Sequence, residues 1–209
     1  MRKQTSTIIA LPARRVEVAI IPIRGTTPYI SHAWSDKARG MILDKQTQKP
    51  RAKKAAKDPW EDFCDSLYWL TPKPENPTRE DIDKAEFGIP AISFKKAAFG
   101  ACRLVEGVPM TLARIAFHIK GPFVKIEGKP EQFEAFVRLQ TGVADIRYRA
   151  LFEDWSATLE VEYNANVMGL DIVTYLISEA GAGPGVGDWR PEKGGEYGRF
   201  EVVRTEVKS

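Results

Sequence analysis

The amino-acid sequence predicts an α+β fold, on three observations. Residues 155–163, Trp155-Ser-Ala-Thr-Leu-Glu-Val-Glu-Tyr163, alternate apolar and polar side chains, as the residues of a half-buried strand do. Residues 93–105 and 170–180 carry apolar residues at helical spacing. Residues 16–23 and 199–207 are rich in β-branched residues, which is typical of strands. With one more strand at 115–119, the chain order is β-α-β-β-α-β, the ferredoxin-like or RRM-like arrangement.

The ends of several elements are marked by particular residues. Pro22 indicates that the first strand lies at an edge or ends there. Ser93 is the expected N-cap of the first helix. Ile115, Phe117 and Ile119 alternate with Ala116 and His118, which predicts a strand with His118 on its outer face. Gly181 follows the second helix, where a C′ glycine is common.

Two long segments interrupt this frame. The first, about residues 31–88, is a polar arm inserted after the first strand, and residues 60–67 are expected to form a helix within it. The second, about residues 121–151, is predicted to be a hairpin insertion. A length of 209 residues fits a single domain over residues 1–209.

The composition is that of a globular protein, with 43% hydrophobic and 28% charged residues. No apolar run approaches the roughly 20 residues that span a bilayer, so no membrane association is expected. The first residues include an apolar stretch too short for a signal peptide. We therefore expect a cytoplasmic protein, in a bacterial or phage-infected host cell.

Several classes of site are excluded by residue spacing. The two cysteines, Cys64 and Cys102, cannot form a disulfide framework or a cysteine-based zinc site. The acidic and histidine residues show no metal-binding spacing. The glycines at 181–198 follow a helix and lack a Gly-Lys-Ser/Thr ending, unlike those of nucleotide-binding motifs. No cofactor, no metal and no nucleotide hydrolysis are expected.

Positive charge is concentrated in the inserted arm. The net charge of the chain is +3, yet residues 37–57 contain eight cations and only one acid. The cations expected to contact phosphates are Lys37, Arg39, Lys45, Arg51, Lys53 and Lys54. If about five of them contacted the phosphates of a single nucleic-acid strand, the logarithm of the binding constant would fall with the logarithm of the salt concentration, at a slope of roughly −3.5. The alternative is a solvated arm without a ligand.

A glycine-rich loop spans residues 181–200 and contains seven glycines in twenty positions. Glycine tolerates positive φ and close backbone approach, so such a loop can offer N–H groups to phosphates. Trp189 and Tyr197 are candidates for stacking on bases. The cations that we expect to hold the backbone of the strand are Arg190, Lys193 and Arg199. The alternative is a structural loop in which Trp189 covers the core.

The start of the first helix is a second candidate binding surface. Lys95, Lys96 and Arg103 lie on this helix, and the first turn of a helix offers free N–H groups and a positive dipole end. A phosphate is therefore one expected ligand, and an ordinary solvent-exposed helix face is the alternative.

Two segments resemble a known family. Residues 89–103, Ile-Pro-Ala-Ile-Ser-Phe-Lys-Lys-Ala-Ala-Phe-Gly-Ala-Cys-Arg, resemble the I-P-G-S-S-L-K-G-A-L-R signature of the RAMP (repeat-associated mysterious protein) superfamily. Residues 185–200 resemble the C-terminal glycine-rich loop of that superfamily. The long arm is similar to the insertions of CRISPR backbone subunits, which polymerise along guide RNA. The chain also resembles uncharacterised phage and prophage proteins.

The chain departs from the family pattern at several positions. Ala91 and Ile92 replace a small Gly-Ser pair, and Lys96 replaces the glycine after the lysine. The loop is also more acidic than usual, with Asp188, Glu192 and Glu196.

The resemblance implies a non-catalytic protein that binds RNA or single-stranded DNA and assembles along the strand as a homo-oligomer or filament. One alternative is an endoribonuclease, because RNA-cleaving relatives often place a catalytic histidine near the position of His32, or an aspartate in a loop like that of Asp36. Another is a phage structural or assembly protein that kept the fold.

Overall fold

The computed structural model describes residues 13–34, 58–138 and 144–203, together with the isolated positions 40, 43, 46 and 47. The described strands are β1 (Val16–Gly25), β2 (Tyr29–Ser31), β3 (Phe87–Pro90), β4 (Phe117–Ile119), β5 (Phe123–Glu127), β6 (Pro130–Arg138), β7 (Ala144–Phe152), β8 (Ser156–Asn164) and β9 (Phe200–Val202). The described helices are α1 (Pro59–Asp65), α2 (Arg79–Lys84), α3 (Ala91–Ala101), α4 (Met110–Ala116), α5 (Leu170–Ala182) and a 3₁₀ helix (Pro191–Lys193). The fold is α+β, with antiparallel sheets.

The main sheet has the strand order β3–β5–β8–β1–β9, and β4 also pairs with β8. Strand β8 is central because it pairs with β1 along one edge and with both β4 and β5 along the other. Its inward residues, Ala157, Leu159, Val161 and Tyr163, are buried. Helices α3 and α5 pack against each other, and their buried residues belong to the same core. This packing places both helices on the inner face of the sheet.

A smaller sheet stands beside the first, in the order β2–β7–β6. Its connection to α1 is polar and buried: the Ser31 hydroxyl donates to the Ser66 carbonyl at 2.7 Å, and the Ala150 N–H donates to the Ser66 hydroxyl at 2.8 Å. These bonds satisfy groups that would be costly to bury unpaired. They fix the end of β2, and so the residue that follows it, His32.

Helix α3 begins at Ala91, so the expectation that Ser93 is its N-cap was wrong. Strand β3 runs directly into the helix, and the N-cap residue is Pro90, which makes no side-chain cap bond. The Ala91 N–H instead donates to the Pro122 carbonyl at 3.0 Å. Because the turn between β4 and β5 supplies this acceptor, the helix starts without a serine cap.

The segment predicted as a strand at 115–119 is divided between two elements. Ile115 lies in helix α4, and β4 begins only at Phe117. Ala113 and Ala116 are buried three residues apart, so a helical period governs this stretch. His118 is exposed, as expected for the outer face of the strand.

The end of α5 also differs from the prediction. Gly181 lies inside the helix, which ends at Ala182. A Cβ at this position would overlap the backbone carbonyl of Phe200 in β9. The close approach of α5 to β9 therefore requires a glycine here. The described part of the last strand ends at Val202, and residues 204–207 of the predicted strand lie outside the described residues.

Within the described ranges, no helix has the length and apolar character needed to cross a membrane.

The central position of β8 gives a test of the fold. Leu159 is fully buried, so Leu159→Ala is expected to lower the free energy of unfolding by about 2–5 kcal/mol. Its neighbour Thr158 is exposed, and Thr158→Ala should change that free energy by less than about 1 kcal/mol. Urea denaturation of the two variants measures the difference. Equal effects would show that β8 is not the central strand of the core.

Candidate functional site

A cleft of about 270 Å³ lies where the start of α3, the glycine-rich loop and the end of β2 meet. The α3 side of its lining consists of Pro90, Ile92, Ser93, Lys96 and Ala97. The glycine-rich loop contributes Gly185, Val186, Gly187, Asp188, Arg190 and Glu192. Tyr29, His32 and Tyr68 complete it. Residues of the two segments 89–103 and 185–200 therefore line one cleft.

The α3 wall of the cleft is electropositive. No side chain caps the helix, so the N–H groups of Ile92 and Ser93 in its first turn have no acceptor within the helix. These N–H groups lie at the positive end of the helix dipole, which favours anions. Lys96 lies one turn further along the helix, is exposed, and makes no ion pair with any of the described residues. Together these groups are suited to a phosphate oxygen.

The glycine-rich loop is held in place mainly by hydrogen bonds from its backbone to the segment that includes β2. The Asp188 N–H donates to the Ile30 carbonyl at 3.0 Å, and the Gly198 N–H donates to the Pro28 carbonyl at 2.7 Å. Gly187 has a φ of +86°, and a Cβ at this position would lie 2.6 Å from the ring of Tyr29. Much of the glycine content therefore serves close packing against the protein rather than a ligand. The Gly187 N–H, on the cleft wall, has no acceptor among the described residues.

His32 and Asp188, which line the cleft, form a connected cluster with Arg149. His32 Nδ1 lies 3.1 Å from Asp188 Oδ2, and Arg149 Nη2 lies 3.1 Å from His32 Nε2. Arg149 Nε is 3.7 Å from Asp188 Oδ2. Since Arg149 can only donate, these partners assign a neutral imidazole that donates from Nδ1 to Asp188 and accepts at Nε2. Arg149 therefore donates to Nε2, the nitrogen with which His32 would accept a proton as a general base.

The charges in this cluster follow from its contacts. The hydrogen bond from His32 holds the pKa of the Asp188 carboxyl below its usual range, although burial of the carboxyl acts in the opposite direction. Burial lowers the pKa of the Arg149 guanidinium, and the neighbouring Asp188 carboxylate opposes this change. Arginine stays protonated in proteins, so at neutral pH the cluster contains a carboxylate and a guanidinium.

The cluster is also a wall between two cavities. His32 and Asp188 line the main cleft and a second cavity of about 80 Å³. The second cavity is bounded on its other sides by Ile30, Phe133, Ala135, Arg147, Arg149 and Trp189. The two cavities are therefore neighbours that share His32 and Asp188 in their lining.

Trp189 and Tyr197, the residues expected to stack on bases, pack on each other and on Phe133 of β6, with ring centroids 6.0 Å apart in each pair. Trp189 has a φ of +49°, a left-handed conformation that a bulky residue rarely adopts. With this turn, the two neighbouring side chains make different contacts. The Asp188 carboxylate contacts His32, and the Trp189 indole contacts Phe133 of the hairpin β6–β7. Both residues are half-buried, and Trp189 lines the second cavity.

The other predicted contacts of the loop differ in their surroundings. Arg190 lines the cleft and is held by Glu192 Oε2, at 3.0 Å from Nε and 2.8 Å from Nη2, and by the Gly187 carbonyl at 3.1 Å. Lys193 is exposed on the 3₁₀ helix. Arg199 is half-buried, and its Nε has no hydrogen-bond partner among the described residues.

Two predicted helix residues lie apart from the cleft. Lys95 Nζ contacts His118 Nδ1 at 2.7 Å and lies over the ring of Phe99. Arg103 is exposed beyond the end of α3. Neither belongs to the lining of the cleft. The remaining predicted residues lie outside the described part of the chain: Asp36, Lys37, Arg39, Lys45, Arg51, Lys53 and Lys54.

Sequence reasoning missed the partners of His32. The sequence alone marks Asp188 only as an acidic residue of the glycine-rich loop, and Arg149 only as part of a predicted hairpin. No local pattern connects residues 32, 149 and 188, because the tertiary fold alone brings them together. In the described part of the chain, no group of three or more His, Cys, Asp or Glu residues is arranged to hold a metal ion.

No model of a known protein family matches the chain, and no curated protein sequence is significantly similar to it.

The ionised Asp188 gives a pH-dependent test of the cluster. Asp188→Asn should lower the free energy of unfolding by about 1–3 kcal/mol at pH 7, because it removes a partly buried, hydrogen-bonded charge beside Arg149. A carboxyl whose pKa is lowered on folding stabilises the protein above its unfolded pKa of about 3.9. The difference in unfolding free energy between the wild type and Asp188→Asn should therefore persist at pH 5 and decrease as the pH falls below about 4.

Urea denaturation at pH 7, 5, 4 and 3 measures this difference. A matched control is Asp171→Asn, a carboxylate in the first turn of α5 that has no ion pair with any of the described residues. If the difference in unfolding free energy between the wild type and Asp188→Asn is the same at all four pH values, Asp188 is not an ionised partner of His32.

Proposed function

We propose that the chain is a non-catalytic protein that binds RNA or single-stranded DNA, with the cleft between α3 and the glycine-rich loop as its strand-binding site. The observation that carries this proposal is the shared cleft. Residues of 90–97, among them Ser93 and Lys96, and residues of 185–192, among them Gly187 and Arg190, line the same cavity, and both stretches belong to the segments of family resemblance. The chemistry of that cavity, with free helix N–H groups and a free lysine, is suited to phosphate.

The strand order supports a ferredoxin-like frame for this site. The sequence β9–β1–β8–β4 joins antiparallel neighbours, with α3 between β1 and β4 and α5 between β8 and β9. This is the arrangement expected of a split β-α-β unit repeated twice. RNA-recognition domains use the same frame, although a frame alone does not determine a function.

The charge distribution adds a second line of support. Lys96 and Arg190 lie in the cleft, and the basic segment 37–57 provides further cations in the same chain. Sequence-independent contacts of this kind give binding that weakens steeply with salt. We therefore expect a general single-strand binder rather than a reader of one sequence.

The family resemblance further suggests self-assembly along the strand, as a homo-oligomer or filament, in the cytoplasm. Sedimentation of nuclease-treated and untreated protein tests this directly. Assembly only with nucleic acid present is the expected result. Ordered oligomers in the nuclease-treated sample would instead favour a phage structural or assembly protein.

Removal of the cleft cations should weaken strand binding. Lys96→Gln and Arg190→Gln are each expected to lower the affinity for a 30-nucleotide single strand several-fold, and each should reduce the magnitude of the salt slope by about 0.7. Fluorescence anisotropy between 50 and 300 mM salt measures both quantities.

Lys129→Gln is the matched control, because Lys129 is exposed and does not line the cleft. It should leave affinity and slope close to those of the wild type. If folded wild-type protein binds neither RNA nor DNA at low salt, the proposal is wrong. If it binds but the cleft variants behave like Lys129→Gln, the strand lies elsewhere.

One observation favours the endoribonuclease as a second candidate: His32 has the carboxylate partner, Asp188, that orients an imidazole for proton transfer. Its Nε2 accepts from Arg149, so this activity requires the arginine to move. Cleavage of a structured RNA by the wild type, abolished in His32→Ala while binding survives, would support it. Intact RNA after long incubation with the wild type would exclude it.

A further inference from the structure

We propose that the second cavity binds a phosphate group, held by the guanidinium groups of Arg147 and Arg149. The chemistry of recognition is the same for a phosphate of a nucleic-acid strand and for a free phosphate anion. The inference goes beyond the proposed function, which places the strand in the cleft and gives the second cavity no role.

Both arginines lie on one face of the hairpin β6–β7. Arg147 and Arg149 are two residues apart on β7, so their side chains point to the same side of the sheet. Their cross-strand partners on β6 are Ala135 and Phe133. All four residues line the second cavity. The hairpin therefore presents two guanidinium groups to one cavity.

The size of the second cavity suits a small anion. Its volume of about 80 Å³ is several times the roughly 10–15 Å³ that one water molecule requires. It is well below the roughly 300 Å³ at which sites for drug-sized ligands begin. The cavity thus matches a group of a few heavy atoms, such as a phosphate, better than a whole nucleotide.

Part of the lining is apolar. Ile30, Phe133 and Trp189 all border the cavity, and the rings of Phe133 and Trp189 contact each other. Apolar surroundings lower the local dielectric constant, so an ionic hydrogen bond from a guanidinium to a phosphate oxygen is stronger there than in water.

The charged groups of the lining leave a positive excess. They are Arg147, Arg149 and Asp188, because His32 is neutral when it accepts from Arg149. Two cations and one carboxylate give this lining a formal charge of +1. Asp145 contacts Arg147 Nε at 3.5 Å from outside the lining. A phosphate in the cavity therefore meets net positive charge from the groups that border it.

Both guanidinium groups have N–H donors beyond those already used. Arg149 contacts the Tyr148 carbonyl from Nη1 at 3.3 Å and His32 from Nη2 at 3.1 Å, and each of these nitrogens carries two hydrogens. Arg149 Nε is buried without a hydrogen-bond partner among the described residues. Neither Nη of Arg147 is hydrogen-bonded to any residue that the structure describes. The planar arginine fork matches the spacing of phosphate oxygens, which accept such N–H groups in pairs.

The second cavity adjoins the cleft, since His32 and Asp188 line both. The cleft carries its own candidate phosphate ligand, Lys96. One nucleic-acid strand can therefore supply a phosphate to each cavity, which is one source of the ligand, and a free anion is the other.

Arg147→Gln is the direct test, because it removes one guanidinium and leaves the contacts of Arg149 with His32 and Asp188 in place. Calorimetry with inorganic phosphate at millimolar concentration measures binding of the free anion. Fluorescence anisotropy with a 30-nucleotide single strand measures binding of the strand. We expect the variant to bind at least one of these two probes about tenfold more weakly, as expected for the loss of one charge-assisted contact.

The matched control is Arg14→Gln, since Arg14 is exposed and lines neither cavity. It should keep the affinities of the wild type for both probes. Near-ultraviolet circular dichroism of each variant verifies that it is folded.

The outcomes separate this inference from the proposed function. A loss confined to inorganic phosphate identifies a free-anion site, and a loss of strand affinity identifies a strand phosphate; both support the proposal. Wild-type affinities for both probes in folded Arg147→Gln, an equal loss in Arg14→Gln, or no binding of either probe by the wild type would overturn it. Strand binding that depends on Lys96 but not on Arg147 leaves the proposed function standing. Phosphate binding at Arg147 without any strand binding contradicts the proposed function alone.

Discussion

The candidate site depends on the backbone hydrogen bonds that tie the glycine-rich loop to the segment after β1. The Thr26 N–H donates to the Arg199 carbonyl, the Gly198 N–H donates to the Pro28 carbonyl, and the Asp188 N–H donates to the Ile30 carbonyl. These bonds require backbones in near contact, which glycine permits and a side chain would prevent. The loop is therefore a fixed wall of the cleft, rather than a set of free N–H groups.

The same constraint explains how a loop rich in glycine positions charged side chains accurately. Gly187 brings the chain against Tyr29, the left-handed turn at Trp189 follows, and Asp188 between them is directed to His32. Strained backbone of this kind is retained where surrounding contacts over-determine it, which often occurs at functional sites. The contact of Trp189 with Phe133 supplies one such restraint.

Local patterns predicted local structure well, and the site only in part. The alternation at 155–163 and the helical spacing at 170–180 agree with β8 and α5 because both periods are set by immediate neighbours. Ile115 was misassigned because a short apolar alternation also fits a helix face. The pairing of His32 with Asp188 joins residues far apart in the chain, and it depends on glycine contacts that composition alone does not specify. The ferredoxin-like frame, the RAMP resemblance and the nucleic-acid ligand remain predictions.

The central claim is that the cleft between α3 and the glycine-rich loop is where a nucleic-acid strand binds. The most direct measurement is ultraviolet cross-linking of a bound single-stranded oligonucleotide, followed by mass-spectrometric identification of the modified peptides. Cross-links are expected at residues that line the cleft, among them Tyr29, His32, Ser93, Lys96, Asp188 and Arg190. Cross-links confined to the exposed outer face of β1, at Val16, Val18 and Ile20, would contradict it.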